Sequence, residues 1–276
     1  MEKLILALKA IIIGGSMLVP GVSGGTMALL LGIYNDMISA VSSFFKDKKK
    51  NAIYLLFIGL FGIIGMVLFA KPLSILTEKY NFIMMYFFLG AVAGSVPFIF
   101  RKAHETESKK AYTSQKIITA VVYVIVGIIL VTLLGMIPQD MMDLGNWNGV
   151  GGYVMLLCTG IVAAVALVLP GISVSYMLLV LGMYEKTINS ITNFEVEFIM
   201  PLGIGLLLGI ILTTKLLENA LNKHPRPTYL IILGFIIGSM VSVFPGIPNG
   251  IYLVLSPISF VAGFMSIYLL GKLDKE

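Results

Sequence analysis

Val19-Pro20-Gly21-Val22-Ser23-Gly24-Gly25-Thr26 interrupts a long apolar stretch near the start of the chain, and its core returns as Leu169-Pro170-Gly171-Ile172-Ser173. The match continues at a constant offset of 150, where Met27, Leu29, Leu31, Gly32, Tyr34 and Ile38 reappear as Met177, Leu179, Leu181, Gly182, Tyr184 and Ile188. At an offset of 144 it resumes: Gly59, Gly65 and Lys71 match Gly203, Gly209 and Lys215, and Gly90, Gly94 and Ser95 match Gly234, Gly238 and Ser239. The step from 150 to 144 falls in the loop after each break, where the first copy carries Lys46-Asp47-Lys48-Lys49-Lys50. One domain, residues 1–276, is therefore expected to contain two structural repeats, residues 4–137 and 153–271.

Composition sets the solvent. Of 276 residues 58% are hydrophobic and 12% charged, and the mean hydropathy is +0.99. A water-soluble domain carries about 25% charged residues. Apolar runs long enough to cross a bilayer as helices are expected at Ala52–Ala70, Phe82–Phe100, Ile117–Ile137, Phe198–Leu217, Tyr229–Phe244 and Ile251–Leu270. Leu4 to Phe45 and Tyr153 to Ile191 form the two broken regions. The expected fold is an all-α polytopic membrane protein, each repeat being one broken, re-entrant hairpin followed by three transmembrane helices. The single cysteine, Cys158, lies in an apolar run, which excludes a disulfide framework and a cysteine zinc site. No cofactor is expected. Lys3 and Lys9 precede apolar residues as in a signal peptide, but no small-x-small cleavage site follows, so the segment is read as retained.

Parity fixes the relation of the repeats. Three spans plus a hairpin separate equivalent points, and a hairpin adds zero or two crossings. The total is odd, so equivalent elements point in opposite directions and the repeats are expected to be inverted. Loop charges are independent of the hydropathy that defines the spans. With a cytoplasmic N-terminus, Lys3, Lys9, Lys46, Lys48, Lys49, Lys50, Arg101, Lys102, Lys109, Lys110, Lys116, Lys215, Lys223, Arg226, Lys272 and Lys275 fall inside. Only Lys71, Lys79 and Lys186 fall outside, with Asp140, Asp143, Glu195 and Glu197 in external loops. This is the positive-inside pattern, and it puts both termini in the cytoplasm. Because the net charge of +5 is confined to short loops, it marks topology and not a nucleic-acid surface.

A Pro-Gly pair at bilayer depth frees peptide groups that lipid cannot satisfy, so they must face protein or a hydrated cavity. Paired helix breaks in two halves of a membrane protein point to a transported substrate. Ser23 is placed to cap a helix resuming at Gly24-Gly25-Thr26, and Ser173 one resuming at Val174-Ser175. Helix starts favour anions such as phosphate. The candidate site is therefore Pro20, Gly21, Ser23, Gly24, Gly25 and Thr26 with Pro170, Gly171, Ser173 and Ser175. Lys71 and Lys215, repeat-related and at the ends of equivalent spans, are candidates to receive an anionic headgroup at each entrance, or else snorkel to the interface. Asp36 and Glu185 stand at the far ends of the second arms, and neither identifies a coupling ion. Trp147 reads as an external interfacial anchor.

Gly21-Val22-Ser23-Gly24-Gly25 also fits the G-x-S-x-G pattern of serine hydrolases. A serine nucleophile needs a base in reach, and the two histidines, His104 and His224, fall in polar cytoplasmic segments. The second copy, Gly171-Ile172-Ser173-Val174-Ser175, also lacks the last glycine. Hydrolysis is disfavoured.

Both hairpin motifs, the first running on to Leu31-Gly32-Ile33-Tyr34 and the second to Leu181-Gly182-Met183-Tyr184, resemble those of the PopT family of bacterial polyprenyl-phosphate transporters. The resemblance covers essentially the whole chain. It implies transport of undecaprenyl phosphate from the outer to the inner leaflet of the bacterial plasma membrane, where the carrier is reused for cell-wall polymers. It also implies membrane lipids as partners and leaves a homo-oligomer open. The second break departs from the first in having Val174 and Ser175 in place of Gly24 and Gly25. A secondary transporter of a small soluble anion is the alternative.

Overall fold

The computed structural model describes residues 2–18, 23–105, 114–137 and 149–273. Val19, Pro20, Gly21, Val22, Lys109, Lys110, Asp140, Asp143, Trp147 and Lys275 lie outside the described residues, as do the side chains of Ser175 and Lys272. Among the described residues the chain is helical, without a strand: α1 (Glu2–Ser16), α2 (Gly24–Leu30), α3 (Tyr34–Ser42), α4 (Lys48–Lys79), α5 (Asn81–Glu105), α6 (Ser114–Met136), α7 (Gly149–Val168), α8 (Val174–Val180), α9 (Tyr184–Thr192), α10 (Val196–Lys223), α11 (Pro225–Val243) and α12 (Tyr252–Leu273).

Among the described residues six helices, α4, α5, α6, α7, α10 and α12, are long and apolar enough to cross a membrane. Spans of this number and length are the architecture of a multi-pass membrane protein. The span expected at Tyr229–Phe244 is the shorter α11, whose apolar part is Pro225–Val241. It lies in the interior, with Leu230, Ile232 and Ile236 almost fully buried. Ile53, Leu56, Leu60, Ile63 and Val67 of α4 are exposed instead, as a lipid-facing surface requires.

Glycine decides how the helices pair. A Cβ on Gly65 would strike the backbone of Ile11, and one on Gly15 the ring of Phe69, so α1 lies along α4 in the same direction. α7 lies along α10 in the same way, with Gly205 against Leu157 and Gly209 against Ile161 and Ala164. α5 runs with α12 through Gly90 against Phe260 and Gly94 against Phe264. α6 runs with α11 through Gly127 against Gly234, and Val131 against Gly238. Small residues let backbones touch where no hydrophobic force drives association. The glycines matched at offset 144 behave alike: Gly65, Gly209, Gly90, Gly234, Gly94 and Gly238 are packing sites, whereas Gly59 and Gly203 both face open space. α5 and α11 pack against each other in opposite directions. Tyr86, near the start of α5, donates to the Gly246 carbonyl beyond the end of α11 at 3.2 Å, and Phe88 and Leu89 share a core with Val243.

Each broken region contains a further break beyond its Pro-Gly pair. α2 stops after seven residues and α8 after seven, each followed by a nine-residue helix. Gly32 (φ +73°) and Gly182 (φ +64°) make the turns. Ile33 N–H bonds Ala28 C=O at 3.0 Å and Met183 N–H bonds Leu178 C=O at 2.8 Å, the Schellman ending of a helix at a left-handed glycine. Leu-Gly-Ile-Tyr and Leu-Gly-Met-Tyr therefore encode helix stops. A seven-residue helix rises only about 10 Å, a third of the hydrocarbon core.

Candidate substrate site at the two breaks

The first described residue after the first break is Ser23. Its extended backbone (φ −84°, ψ 146°) and side chain cap α2, with Thr26 N–H donating to Oγ at 3.2 Å. The same oxygen accepts the Gly171 N–H, also at 3.2 Å, across 148 residues of chain. A hydroxyl has two lone pairs and one proton. Both lone pairs are occupied, so the 3.0 Å contact between Ser23 Oγ and Thr26 Oγ1 runs from Ser23 O–H to Thr26. Ser23 is thereby saturated. It touches a bound anion only by giving up one of these partners.

The two breaks meet at this bond. Gly25 lies close to the second break, where an added Cβ would stand 3.5 Å from the Pro170 ring and 3.4 Å from the Val168 carbonyl oxygen. Thr26, Pro170 and Gly171 are buried, Ser23 and Gly24 half-buried, and Ser173 exposed. Gly171 holds φ +86°, and an added Cβ there would lie 2.7 Å from the Phe235 carbonyl carbon, so only glycine lets the break rest on α11. Ser173 precedes α8, and its carbonyl accepts Met177 N–H at 3.1 Å.

Two residues outside the expected set hold this arrangement. Tyr34, 4% exposed, donates its hydroxyl to the Val168 carbonyl at 2.9 Å. Its recurrence as Tyr184 was the available signal. Lys9, on α1, donates to the Leu31 carbonyl at 2.6 Å, placing a cation at the C-terminal end of α2. Nothing in the sequence distinguished this lysine from a topology charge.

Lys71 and Lys215 are exposed and stand inside their helices, not at the ends. α4 continues to Lys79 and α10 to Lys223, eight residues beyond each lysine. The pairing of α1 with α4, carried forward from Gly15 and Phe69, brings Lys71 level with the end of α1. The pairing of α7 with α10, carried forward from Ile161 and Gly209, brings Lys215 level with the end of α7. Lys215 also borders a shallow cleft of about 460 Å³ with Leu212, Leu216, Glu218, Asn219 and Asn222. Among the described residues neither lysine bonds to a break. Among the described residues no group of His, Cys, Asp and Glu could hold a metal ion.

At the far end of the second broken region Glu195 accepts Ser190 Oγ at 2.7 Å and pairs with Lys186 at 2.9 Å. The Ser190 hydrogen bond first, and the Lys186 ammonium second, hold its carboxyl below the usual range. This cluster fastens α9 to the start of α10.

The chain is similar to known membrane transporters over nearly its whole length. A polyprenyl-phosphate transporter of Staphylococcus aureus is 33% identical, with 99% of this chain and 98% of that protein aligned. A polyprenyl-phosphate transporter of Vibrio cholerae is 26% identical over 86% of this chain and 76% of its own length. No solved structure matches significantly. Both relatives are transporters, not hydrolases. Residues 13–252 match the family model described as undecaprenyl phosphate translocase-like, and the chain belongs to that family.

Proposed function

We propose that this protein is an undecaprenyl-phosphate translocase that returns the lipid carrier from the outer to the inner leaflet of a bacterial plasma membrane for cell-wall polymer synthesis. The observation that carries the reading is the Gly171 N–H to Ser23 Oγ bond, which joins the two breaks of a chain in this family. Burying an unpaired phosphate charge in hydrocarbon is prohibitive, so a translocase must offer polar groups at bilayer depth while the isoprenoid tail stays in lipid. The peptides of the second break, Thr26 and Ser173 are such groups, Ser23 joins them on releasing one of its partners, and Lys71 and Lys215 stand level with the ends of α1 and α7.

Inverted repeats with two re-entrant hairpins supply the exchange of access. Support comes from α5 and α11, equivalent at offset 144, which run antiparallel. For the first hairpin, α2 returns to α1 at the Lys9–Leu31 contact, and Asn51 at the start of α4 donates to the Ser43 carbonyl at the end of α3. Because α1 and α4 run in the same direction, entry at the start of α1 and exit at the start of α4 are then on one side. The loop charges make that side cytoplasmic, with both termini there.

The test is transport in proteoliposomes holding labelled undecaprenyl phosphate in one leaflet. Protein-dependent transfer that excess unlabelled lipid phosphate inhibits is expected. Saturable uptake of inorganic phosphate or a small organic acid, with no lipid transfer, refutes the assignment.

A further inference from the structure

Among the backbone groups that the second break strands, two stand at its ends. α7 ends at Val168, so its carbonyl loses the N–H that a continuing helix would bring from Ile172. Gly171, at φ +86°, points its N–H away from any helical acceptor. At bilayer depth both need partners. Both partners come from the first half of the chain: Tyr34 Oη donates to Val168 C=O, and Ser23 Oγ accepts from Gly171 N–H. Between Ser23 and Tyr34 lie only α2 and its glycine turn, whose own hydrogen bonds fix the spacing. The two hydroxyls therefore grip the break at both ends. The Tyr34 ring belongs to the surrounding core with Ala28 and Leu29, a role phenylalanine would fill as well. Only the hydroxyl reaches the carbonyl.

We propose that Tyr34 is a positioning residue for transport, which with Ser23 holds the second break against the first so that the two halves present one headgroup site. This rests on reading the breaks as that site. Releasing the grip lets the break open without disturbing the glycine-packed helix pairs.

The test is Tyr34→Phe in the full chain. Hydrogen–deuterium exchange across residues 165–175 should quicken about three- to tenfold, the scale of one buried hydrogen bond. The apparent KM for undecaprenyl phosphate should rise by a similar factor, with thermal unfolding and maximal rate near wild type. A purely structural role would move unfolding and rate together and leave KM unchanged, which overturns the proposal. Unchanged exchange and KM also overturn it. Should Tyr34→Phe not fold, Ser23→Ala must quicken exchange in the same segment, and its failure to do so is equally decisive. If wild type moves inorganic phosphate and not the lipid, the assigned substrate fails, while the exchange readout still decides the grip.

Discussion

Gly171→Ala should be among the most damaging single-methyl additions in this chain. At φ +86° an L-residue loses about 1–2 kcal/mol. The new Cβ would meet the Phe235 carbonyl carbon at 2.7 Å, its oxygen at 2.8 Å and the Ile236 nitrogen at 2.9 Å. Carbon–carbon contacts favour about 3.5–4.0 Å, and α11 backbone cannot rotate aside as a side chain would. Overpacking of this kind costs about 1–3 kcal/mol. The sum is roughly 2–5 kcal/mol, before any loss of the Ser23 bond. For a chain of this size that lowers Tm by about 10 °C, measured in detergent by tryptophan-independent thermal aggregation or calorimetry. Gly203→Ala is the matched comparison. That glycine lies inside α10 with nothing within 4 Å, and alanine there should be neutral or stabilising by up to about 1 kcal/mol. A Gly171→Ala protein melting within about 2 °C of wild type would refute the close approach of the break to α11.

Lys9→Met should destabilise the first hairpin by about 1.5–3 kcal/mol, the scale of a hydrogen bond from a charged donor, read as faster exchange across α2. Lys71→Gln and Lys215→Gln should each slow lipid transfer while leaving membrane insertion intact; wild-type transfer in both removes the lysines from the site. Ser190→Ala should raise the titration of Glu195 toward the ordinary carboxylate range, checked by carboxyl NMR. The sign follows from a depressed folded value. The contribution of Glu195 is present above the pKa of the unfolded chain and is lost as pH falls through the folded one.

Solvent, helical class and the duplicated Pro-Gly breaks were legible in the sequence, because hydropathy and backbone chemistry are local properties. It also foresaw the Ser23 cap, since a serine before Gly-Gly-Thr can reach a backbone N–H three residues on. The offset of 144 singled out glycines that prove to be packing sites, although Gly59 and Gly203 match equally well and touch nothing. Helix length was less legible: Lys71 and Lys215 end their apolar runs, yet the backbone hydrogen bonds of α4 and α10 carry the helices eight residues further. The glycine stops at Gly32 and Gly182 were written in the sequence but are hard to tell from packing glycines without their φ. Inverted symmetry already argues that the two helix starts come together near the membrane centre, but which groups join them was left to the tertiary fold. Ser23 to Gly171, Tyr34 to Val168 and Lys9 to Leu31 are set by how hairpins dock, and sequence spacing carries no information on docking. Orphaned peptide groups in a membrane must find partners, and two of those at the second break, the Val168 carbonyl and the Gly171 N–H, find them in the first half of the chain.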